Sequence, residues 1–587
     1  MTDLRQLIAS PEFSDLDRHF AGFIELQSGG NRPLLALAAA LVSRARGEGN
    51  ICLDLAALAG TPFPEKPADD AKPVKLPALS AWLKELKAAP AVGSPGQFCP
   101  LVLDADDRLY LHRYWQYEQS LAAEILRRAG AAGENFDEAA LGEKLRALFP
   151  AKSGAEVDWQ AVAAFAAAQK KFCVISGGPG TGKTHTLVLI LALLLELDAT
   201  RKLRIAVAAP TGKAAARIQE SIRQIKSALN CSDEIKAQLP EDATTIHRLL
   251  DYRPDSTSFR HNAENPLPFD VVAVDEASMA DLALMAKLFQ AIPPNARVIL
   301  LGDKDQLASV EAGAVLGDIC AAAGENKNSP LAPCVVQLKK NYRFGEDSAI
   351  FHMSRAINDG DPERVFRLLR DVDGKANSDL VTAALPERAK LKAALKKKVI
   401  AGFGDFLKAA DPLAAIAALG RFRVLCALRE GSFGVTGLNR VIEEILDEAG
   451  LIQRAEIFYA RRPVMVTQND YHLKLFNGDL GVIWHDAGGP RACFAGADHS
   501  LRQFLPLRLP AHETAYAMTV HKSQGSEFDR VLFVLPDKPS PILTRELLYT
   551  GITRARKNIE LWFDEKVFWA ALGQRVQRNS GLRDSLA

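Results

Sequence analysis

Short apolar runs alternate with longer stretches of helical periodicity from about residue 158 onward. A first set of runs covers residues 172–176, 203–209, 271–274, 297–301 and 334–338, and a second set covers 422–427, 531–535 and 559–563. Continuous apolar runs of this length, bounded by turn residues and separated by helices, are typical of parallel strands buried on both faces. The pattern therefore predicts an α/β fold with parallel sheets.

The first 115 residues follow a different pattern. Helical periodicity at 34–43 and 79–86 flanks a proline-rich segment, 61–77, and two short strands are expected at 100–103 and 109–111. We predict a helical N-terminal domain over residues 1–115 and a helical connector over 116–157. Since this region shows no chemical motif, we expect it to act in packing or docking to a partner.

Turn-rich alternation marks residues 463–504. Asn469-Asp470, Asn477-Gly478 and Gly488-Gly489 separate short alternating stretches there. Such pairs favour tight turns between strands. The segment therefore predicts a small β insertion between the apolar runs at 422–427 and 531–535.

Composition and charge narrow the function. The chain has 587 residues, of which 48% are hydrophobic and 24% charged, and its formal net charge is +1. This mixture excludes wholesale disorder. Because the chain is almost neutral, nucleic acid would have to bind in a local basic groove rather than by overall charge.

Cysteine usage and apolar run length indicate the compartment. The eight cysteines form no C-x-x-C pair, which is typical of isolated thiols in a reducing environment. The longest apolar runs, 34–42 and 187–195, are about half of the ~20 residues that a membrane span needs. Residues 1–20 are interrupted by charges and resemble no signal peptide. We predict a cytoplasmic protein that neither spans nor binds a membrane.

A phosphate-binding motif follows the first apolar run. Residues 177–184 read Gly-Gly-Pro-Gly-Thr-Gly-Lys-Thr and match G-x-x-x-x-G-K-[ST] between a predicted strand and a predicted helix. Glycines allow backbone N–H groups to surround phosphates at a helix N-terminus. Lys183 can reach the β- and γ-phosphates, and the Thr184 hydroxyl can join a Mg²⁺ shell. The motif predicts ATP and Mg²⁺ as ligands.

Further polar residues follow later strands. Asp275 at the end of the third run can hold Mg²⁺, and Glu276 can activate water. Gln306, after the fourth run, can sense the γ-phosphate. Arg343 and Arg554 can supply charge to the transition state. Since both arginines lie outside the first α/β half, we expect an ATP cleft between two halves.

The ordered set of motifs resembles superfamily 1 helicases. The matching segments are 177–184, 209–217, 274–278, 301–307, 341–343, 519–528 and 549–556. Within that group, the chain is similar to the RecD subunits of exodeoxyribonuclease V. Segments 175–184, 245–250 and 476–481 carry that likeness, and 108–115 extends it over nearly the whole chain.

The resemblance implies two RecA-like domains, one at 158–337 and one made of 338–462 and 505–587. It also implies that the 463–504 insertion is a small β-barrel that grips DNA. Residues 252–269 would form a β-hairpin that separates strands, with Tyr252 and Phe259 as its wedge, or else a plain connecting loop.

The resemblance also assigns site residues. Gln160 would recognise adenine. Nucleotide binding would further involve Gly177, Gly178, Pro179, Gly180, Thr181, Gly182, Lys183, Thr184, Gln524, Gly525 and Glu527. Catalysis would use Lys183, Glu276, Gln306, Arg343 and Arg554, and Thr184 and Asp275 would hold Mg²⁺. Single-stranded DNA would contact Pro210, Thr211, Gly212 and Lys213 in one half and Thr519 and His521 in the other. His521 has a structural alternative, and His247 favours a structural role.

The implied function is ATP-dependent 5′–3′ unwinding of duplex ends in a heterotrimer with RecB-like and RecC-like subunits. No nuclease motif is present, so cleavage would belong to a partner. Two alternatives stay open. A stand-alone RecD-like helicase would carry a longer N-terminal region with helix–hairpin–helix elements. A P-loop ATPase of another class, such as a nucleotide kinase, would have no use for segments 519–528 and 549–556.

Overall fold

The computed structural model describes most of the chain. The described ranges are 2–64, 73–131, 136–150, 157–198, 202–253, 256, 258–326, 328–345, 347–372, 379–470, 472–496 and 500–587. No helix within these ranges is long and apolar enough to cross a bilayer.

The N-terminal domain combines helices with a small sheet. Its helices are α1 (Thr2–Ala9), α2 (Asp15–Gln27), α3 (Pro33–Gly47), α4 (Leu55–Leu58) and α5 (Leu79–Lys87). Its strands are β1 (Cys52–Asp54), β2 (Pro62–Phe63), β3 (Val74–Lys75), β4 (Val92–Gly93), β5 (Leu101–Leu103) and β6 (Arg108–Leu111). Strands β1, β6, β5 and β4 form one sheet in that order, and β2 pairs with β3. The predicted helical domain therefore also contains a four-stranded sheet, which packs on the buried, alanine-rich α3.

The predicted connector is helical but is not a separate unit. It contains α6 (His112–Gly130) and α7 (Glu138–Leu148). Buried Arg128 on α6 donates to the carbonyl oxygens of Ile292, Pro293 and Ala296 in the next domain. The boundary predicted at residue 115 falls inside α6, because its amphipathic pattern continues across that position.

The first α/β domain has a parallel sheet between helices. Its helices are α8 (Trp159–Gln169), α9 (Lys183–Leu197), α10 (Gly212–Ala228), α11 (Asp233–Gln238), α12 (Ile246–Leu249), α13 (Leu282–Ala291) and α14 (Val315–Glu325). Its strands are β7 (Phe172–Ser176), β8 (Ile205–Ala209), β9 (Ala243–Thr245), β10 (Val271–Val274), β11 (Arg297–Gly302) and β12 (Val335–Gln337). The strand order is β12-β7-β11-β10-β8-β9, and every pairing is parallel. The sheet confirms the first set of predicted strands, and it brings the ends of β7, β10 and β11 to one edge.

The described part of residues 252–269 is a loop without a strand. Phe259 is buried, and its ring packs against the rings of His247 and Tyr252. Phe259 is therefore part of the core and not an exposed wedge, so the hairpin prediction gives way to the connecting loop. The structural role favoured for His247 agrees with these ring contacts.

The second α/β domain follows the same scheme. It begins with α15 (Ala349–Asp359), α16 (Pro362–Val372), β13 (Leu380–Ala384), α17 (Leu391–Leu407), α18 (Pro412–Leu419), β14 (Phe422–Cys426) and α19 (Val435–Glu448). After the insertion come β20 (Ala517–Thr519), β21 (Phe528–Val534), α20 (Arg545–Ile552), β22 (Ala555–Phe563) and α21 (Glu565–Gly573). The parallel strand order is β13-β22-β21-β14-β20.

The insertion is an antiparallel sheet. Its strands are β15 (Pro463–Val466), β16 (Leu480–Asp486), β17 (Gly489–Ala495), β18 (Leu501–Phe504) and β19 (His512–Thr514), in the order β18-β17-β16-β15-β19. Within the described residues, edge strands β18 and β19 do not pair with each other, so the predicted barrel is an open sheet here. The insertion also extends beyond residue 504, because β19 pairs with β15.

The C-terminal tail, residues 574–587, leaves the second α/β domain. It ends in α22 (Leu582–Leu586), whose two leucines are buried in the core of the first α/β domain. The second domain was predicted to extend to residue 587, and this part of the prediction is wrong. Two leucines in a polar segment carry no signal of the core that they will join.

Candidate functional site

The loop after β7 forms a glycine-rich turn at the start of α9. Gly180 and Gly182 have φ values of 83° and 81°, which glycine adopts without strain. The Lys183 ammonium donates to the carbonyl oxygens of Gly177 (2.7 Å) and Gly178 (3.2 Å), so it lies over the turn. The residues at 177–184 thus have the backbone and charge that an anionic ligand requires.

The carboxylates after β10 face this loop. The Thr184 hydroxyl donates to Asp275 Oδ2 at 2.9 Å. Burial and the neighbouring Glu276 carboxylate raise the pKa of Asp275. Glu276 has a φ of 54°, and this left-handed conformation marks a turn that is held by its surroundings. Oxygen ligands from Thr184 and Asp275 fit the preference of Mg²⁺ for hard oxygen donors.

The loop after β11 connects the two α/β domains. Gln306 Nε2 donates to Asp303 Oδ2 at 2.9 Å, and the same oxygen accepts from the Tyr549 hydroxyl at 2.9 Å. Burial raises the pKa of Asp303. Tyr549 belongs to the second domain. Asp303 therefore links Gln306 of the first domain to a residue on the other side of the cleft.

Three charged residues form an ion-pair cluster across the cleft. Glu527 lies 2.5 Å from Arg343 Nη2 and 2.6 Å from Arg217 Nη2. Although burial opposes it, the charge of these arginines lowers the pKa of Glu527 to about 2. The Glu527 carboxylate is therefore ionised at neutral pH and holds two guanidinium groups beside the phosphate loop.

Arg343 is also placed by the backbone that precedes it. Asn341 Nδ2 donates to the Pro179 carbonyl oxygen (2.8 Å), and Tyr342 N donates to the Gly180 carbonyl oxygen (2.7 Å). Arg343 Nη1 is buried and has no hydrogen-bond partner among the described residues. An unpaired buried donor beside a phosphate loop fits an anionic ligand, since it otherwise remains unsatisfied.

The other predicted residues of the second domain also meet here. Arg554 is buried and donates to the carbonyl oxygens of Thr550 and Ser526, both at 3.1 Å. Gln524 Nε2 donates to the Leu307 carbonyl oxygen at 2.7 Å. Gly525 lies opposite Ala214 of α10 with a φ of 69°. Gln524 and Gly525 thus contact the first domain, and Glu527 and Arg554 line the cavity that both domains share.

Gln160 lies behind the phosphate loop. Its Nε2 donates to the Thr181 carbonyl oxygen at 3.4 Å and approaches Gly182. The half-exposed Tyr342 ring lies on the same side of Gly182. An amide and an aromatic face in this position suit a purine, which offers hydrogen-bonding edges and a flat surface.

A cavity of about 360 Å³ lies between these groups. Its lining residues come from both α/β domains and include Lys183, Thr184, Arg217, Asp275, Glu276, Gln306, Tyr342, Arg343, Gly525, Glu527 and Arg554. This volume lies within the usual range for small-molecule sites. Every catalytic residue predicted from the sequence lines this one cavity.

The predicted DNA residues of the first domain start α10. The Thr211 hydroxyl accepts a hydrogen bond from Ala214 N (3.2 Å) and caps the helix, which Pro210 precedes and Gly212 begins. Burial lowers the pKa of Lys213 to about 7, and Arg423 adds to this effect. The charged form of Lys213 is therefore less favoured in the free protein than that of an exposed lysine.

The insertion joins these residues to the second domain. The Phe476 ring lies close to Gly212 and 4.5 Å from the Arg248 guanidinium carbon. Lys522 Nζ donates to Asn477 Oδ1 at 2.7 Å, and Lys522 N donates to the Thr519 hydroxyl at 3.2 Å. His521 follows Thr519, and burial lowers the pKa of His521. The loop at 474–479 thus connects both predicted DNA-binding segments.

Several residues of these sites were missed by sequence reasoning. They are Arg217, which lines the cavity, Asp303 and Tyr549, which hold Gln306 beside it, and Arg248, Phe476 and Lys522 at the insertion. Each lies inside a recognised motif, so the motifs located them. Only the folded geometry shows which motif positions point at the cavity and which at the insertion.

Comparisons with known proteins agree with this arrangement. The family profile described as RecBCD enzyme subunit RecD, N-terminal domain, matches residues 11–110. Profiles of an AAA domain and of a UvrD-like helicase C-terminal domain match residues 160–312 and 514–561.

Two relatives and one solved structure show the extent of the similarity. The RecBCD enzyme subunit RecD of Mycobacterium tuberculosis is 38% identical over 590 residues, which cover 97% of this chain and 94% of that protein. The ATP-dependent RecD2 DNA helicase of Deinococcus radiodurans is 30% identical and covers 82% of this chain and 59% of that protein. The crystal structure of Pif1 helicase from Bacteroides in complex with ADP-AlF3 and ssDNA aligns with 68% of this chain and 90% of that chain, with a TM-score of 0.34 and 16% identity.

Two RecA-like α/β domains that share one P-loop cavity, together with these relatives, define an ATP-dependent DNA helicase. Its similarity extends over the N-terminal domain as well as both α/β domains. The chain belongs to the RecD family of RecBCD enzyme subunits.

Proposed function

We propose that this chain is the 5′–3′ helicase subunit of a RecBCD-type complex and unwinds the ends of broken duplex DNA for repair and degradation. The observation that carries the proposal is the single cavity lined by motif residues of both α/β domains. Groups from both sides converge on it, so the state of the nucleotide changes the contact between the domains. The candidate DNA residues lie at the same two domains, so this change can move a strand.

The residues predicted from the sequence that line the cavity have roles that their positions support. Backbone N–H groups of residues 177–184 and the Lys183 ammonium bind the ATP phosphates. Thr184 and Asp275 would hold Mg²⁺, which neutralises phosphate charge when it is bound. Glu276 accepts a proton from the attacking water, and Gln306 orients that water.

The arginines respond to the charge that develops on the phosphate. Arg343 and Arg217 already share the Glu527 carboxylate across the cleft. A γ-phosphate on the first domain would offer Arg343 a second anion, so ATP draws the domains together. After hydrolysis the attraction between Arg343 and the γ-phosphate is lost. The ion pairs of Glu527 with Arg217 and Arg343 remain.

The DNA strand follows the line from Pro210–Lys213 to Thr519 and His521. The 474–479 loop of the insertion lies over this line, with Phe476 and Lys522 as additional contacts. An aromatic ring suits base stacking, and lysines suit the phosphate backbone. Local contacts of this kind are compatible with a net charge of only +1.

The first test concerns ATP hydrolysis. The purified chain should hydrolyse ATP in a reaction stimulated by single-stranded DNA. Lys183→Gln keeps the size of the side chain but removes its charge, so hydrolysis should fall by about 10² or more. Steady-state phosphate release measures this. Hydrolysis that survives the substitution would refute the assignment of this cavity.

The second test concerns polarity. Unwinding should need a 5′ overhang, because the proposed motor moves 5′ to 3′ along the strand that it binds. Strand displacement is measured on duplexes with matched 5′ and 3′ overhangs. A preference for the 3′ overhang would reverse the proposed direction and leave the ATPase assignment intact.

The choice between a complex subunit and a stand-alone helicase depends on the N-terminal domain. The profile at residues 11–110 supports the subunit, with RecB-like and RecC-like chains as partners. The RecD2 relative supports the alternative less well, since only 59% of its length matches. Co-purification of the two partners from native lysate tests the subunit role. The cytoplasmic location stays a prediction.

A further inference from the structure

The C-terminal tail returns from the second α/β domain to the opposite side of the cleft. The carbonyl oxygen of Asn579 accepts from Ile51 N (2.8 Å), and Asn579 N donates to Asn50 Oδ1 (2.8 Å). Leu582 and Leu586 are fully buried in the core of the first α/β domain. The tail is therefore a physical link between the second domain, the N-terminal domain and the first domain.

Buried polar contacts fix the middle of the tail. The Glu118 carboxylate on α6 accepts from Gly581 N (2.9 Å) and from the Ser580 hydroxyl (3.0 Å). A side chain at residue 581 would meet Tyr110, Arg108 and Glu118, so glycine is required there by space. Since these contacts are specific and largely buried, they also hold Arg578, two residues before Ser580, at a defined place.

Arg578 connects the tail to the loop that follows Gln306. Its Nη1 donates to the carbonyl oxygens of Gly313 (2.6 Å) and Glu311 (2.8 Å), and its Nη2 donates to the carbonyl oxygen of Ser309. The planar guanidinium presents several donors in a fixed fork, so one side chain can hold three carbonyl groups of one loop.

We call residues 303–313 the coupling loop. Its first part carries Gln306 and is held by the second domain through Tyr549 at Asp303, and through Gln524 and Thr550 at Leu307. Its last part is held by Arg578. The second domain and its tail therefore hold this loop of the first domain at both ends.

Arg578 also lies near the candidate DNA site. Its charge adds to burial in lowering the pKa of His521. His521 and Gln524 belong to one short segment, in which Gln524 N donates to the His521 carbonyl oxygen (3.2 Å). A displacement of this segment by DNA would therefore reach the coupling loop at Leu307, through Gln524.

We propose that Arg578 is a positioning residue for ATP hydrolysis, which holds residues 309–313 so that Gln306 stays aligned with the attacking water. The proposal rests on the proposed role of Gln306. It adds that a residue far along the chain, in a segment without any motif, sets the geometry of the hydrolysis step. Small misplacements of a catalytic group are enough to slow a reaction strongly.

The test compares Arg578→Ala with wild type in DNA-stimulated ATP hydrolysis. We expect kcat to fall about tenfold, while KM for ATP stays within about twofold, because the phosphate loop itself is unchanged. Arg578→Lys keeps the charge and three donors and should recover part of kcat. In a Gln306→Ala background, Arg578→Ala should add less than about twofold, because both changes disturb one interaction.

Arg575→Ala is the matched control, since Arg575 is an exposed arginine of the same tail. It should behave as wild type. Wild-type kcat in Arg578→Ala, or a full tenfold loss in the Gln306→Ala background, would overturn the proposal. If Arg578→Ala does not fold, the same kcat and KM comparison is made with Arg578→Lys. Absence of DNA-stimulated hydrolysis in wild type would instead refute the proposed function.

Discussion

Glu527 shows how much one side chain does at this cleft. Its carboxylate belongs to the second α/β domain, but it pairs with Arg217 of the first and with Arg343 of the segment that joins them. Since the pKa of Glu527 is lowered to about 2, the pairs persist throughout the physiological pH range. Glu527 therefore holds the guanidinium groups of Arg217 and Arg343 beside the proposed phosphate site in the cavity.

Lys213 gives the proposed DNA site a pH dependence. Burial lowers the pKa of Lys213 to about 7 in the free protein, and a DNA phosphate would favour the charged form. Binding above pH 7 therefore takes up a proton, so affinity falls as pH rises, by at most about tenfold per unit. Below pH 7 the lysine is already charged, and affinity should not change through this group.

Anisotropy titrations with single-stranded DNA at constant salt measure this dependence between pH 6 and 9. Lys213→Met should bind more weakly at pH 6 and lose the slope above pH 7. Lys396→Met changes an exposed lysine of α17 and should retain both affinity and slope. An unchanged slope in Lys213→Met would contradict the assignment of this lysine.

Among the elements, the phosphate loop has the least room for change. A Cβ on Gly180 would lie 2.5 Å from Arg343 Cβ, and the φ of 83° is unfavourable for any other residue. Gly180→Ala should therefore displace both the loop and Arg343 and weaken ATP binding by about tenfold or more. Isothermal titration calorimetry with a non-hydrolysable ATP analogue measures this change in affinity.

Gly142→Ala is the control for that substitution. Gly142 lies inside α7, where an added methyl group meets only the end of Arg146 at 3.9 Å. Alanine should raise helix stability there by about 0.5–1 kcal/mol and leave ATP binding unchanged. Equal ATP affinity in both variants would show that the close approach of Arg343 to the loop is not needed.

The strands of both parallel sheets could be predicted because burial on both faces leaves a continuous apolar run. The antiparallel insertion was recognised by its turns, but its extent was not, since His512–Thr514 is too short and polar to indicate pairing with β15. The tail was missed altogether. Leu582 and Leu586 pack on helices that are distant in sequence, and no local periodicity encodes such a contact.

The site shows the same limit. The P-loop, Asp275, Glu276, Gln306, Arg343 and Arg554 were located from motifs, because phosphate chemistry restricts residue type and spacing. Phe259 was misassigned, because an aromatic residue in a polar loop can be either exposed or buried. Arg578 has no motif at all, and only its three carbonyl contacts reveal it.

On the scale of the whole molecule, the N-terminal domain is not a detachable unit. Ile51, Cys52, Val102 and Tyr110 belong to the same core as the first α/β domain. Removing residues 1–115 would open that core, so such a deletion cannot separate docking from folding. Surface substitutions are the appropriate way to test the partner role.

Helix α2 offers a suitable surface. Leu16, Phe23 and Leu26 are 71%, 53% and 74% exposed and lie on one face of the helix. If this face docks to the RecB-like or RecC-like subunit, replacing all three by aspartate should reduce co-purification by about tenfold or more, because buried apolar anchors dominate interface energies. DNA-stimulated ATP hydrolysis should remain.

Ile457→Asp changes a similarly exposed apolar residue, 77% exposed, in the second α/β domain. It should leave co-purification intact. Full recovery of both partners with the α2 variant would place the docking surface elsewhere.

The tail also constrains the order in which the protein can mature during synthesis. Asn326, after α14, and Ala587 are 261 positions apart, and the Asn326 side chain donates to the Ala587 carbonyl oxygen. A ribosome releases the first domain long before it makes Leu582 and Leu586, so that domain emerges with an unfilled groove. The groove closes only once residues 582–586 have been translated, so the first α/β domain completes its core after the second domain has been synthesised.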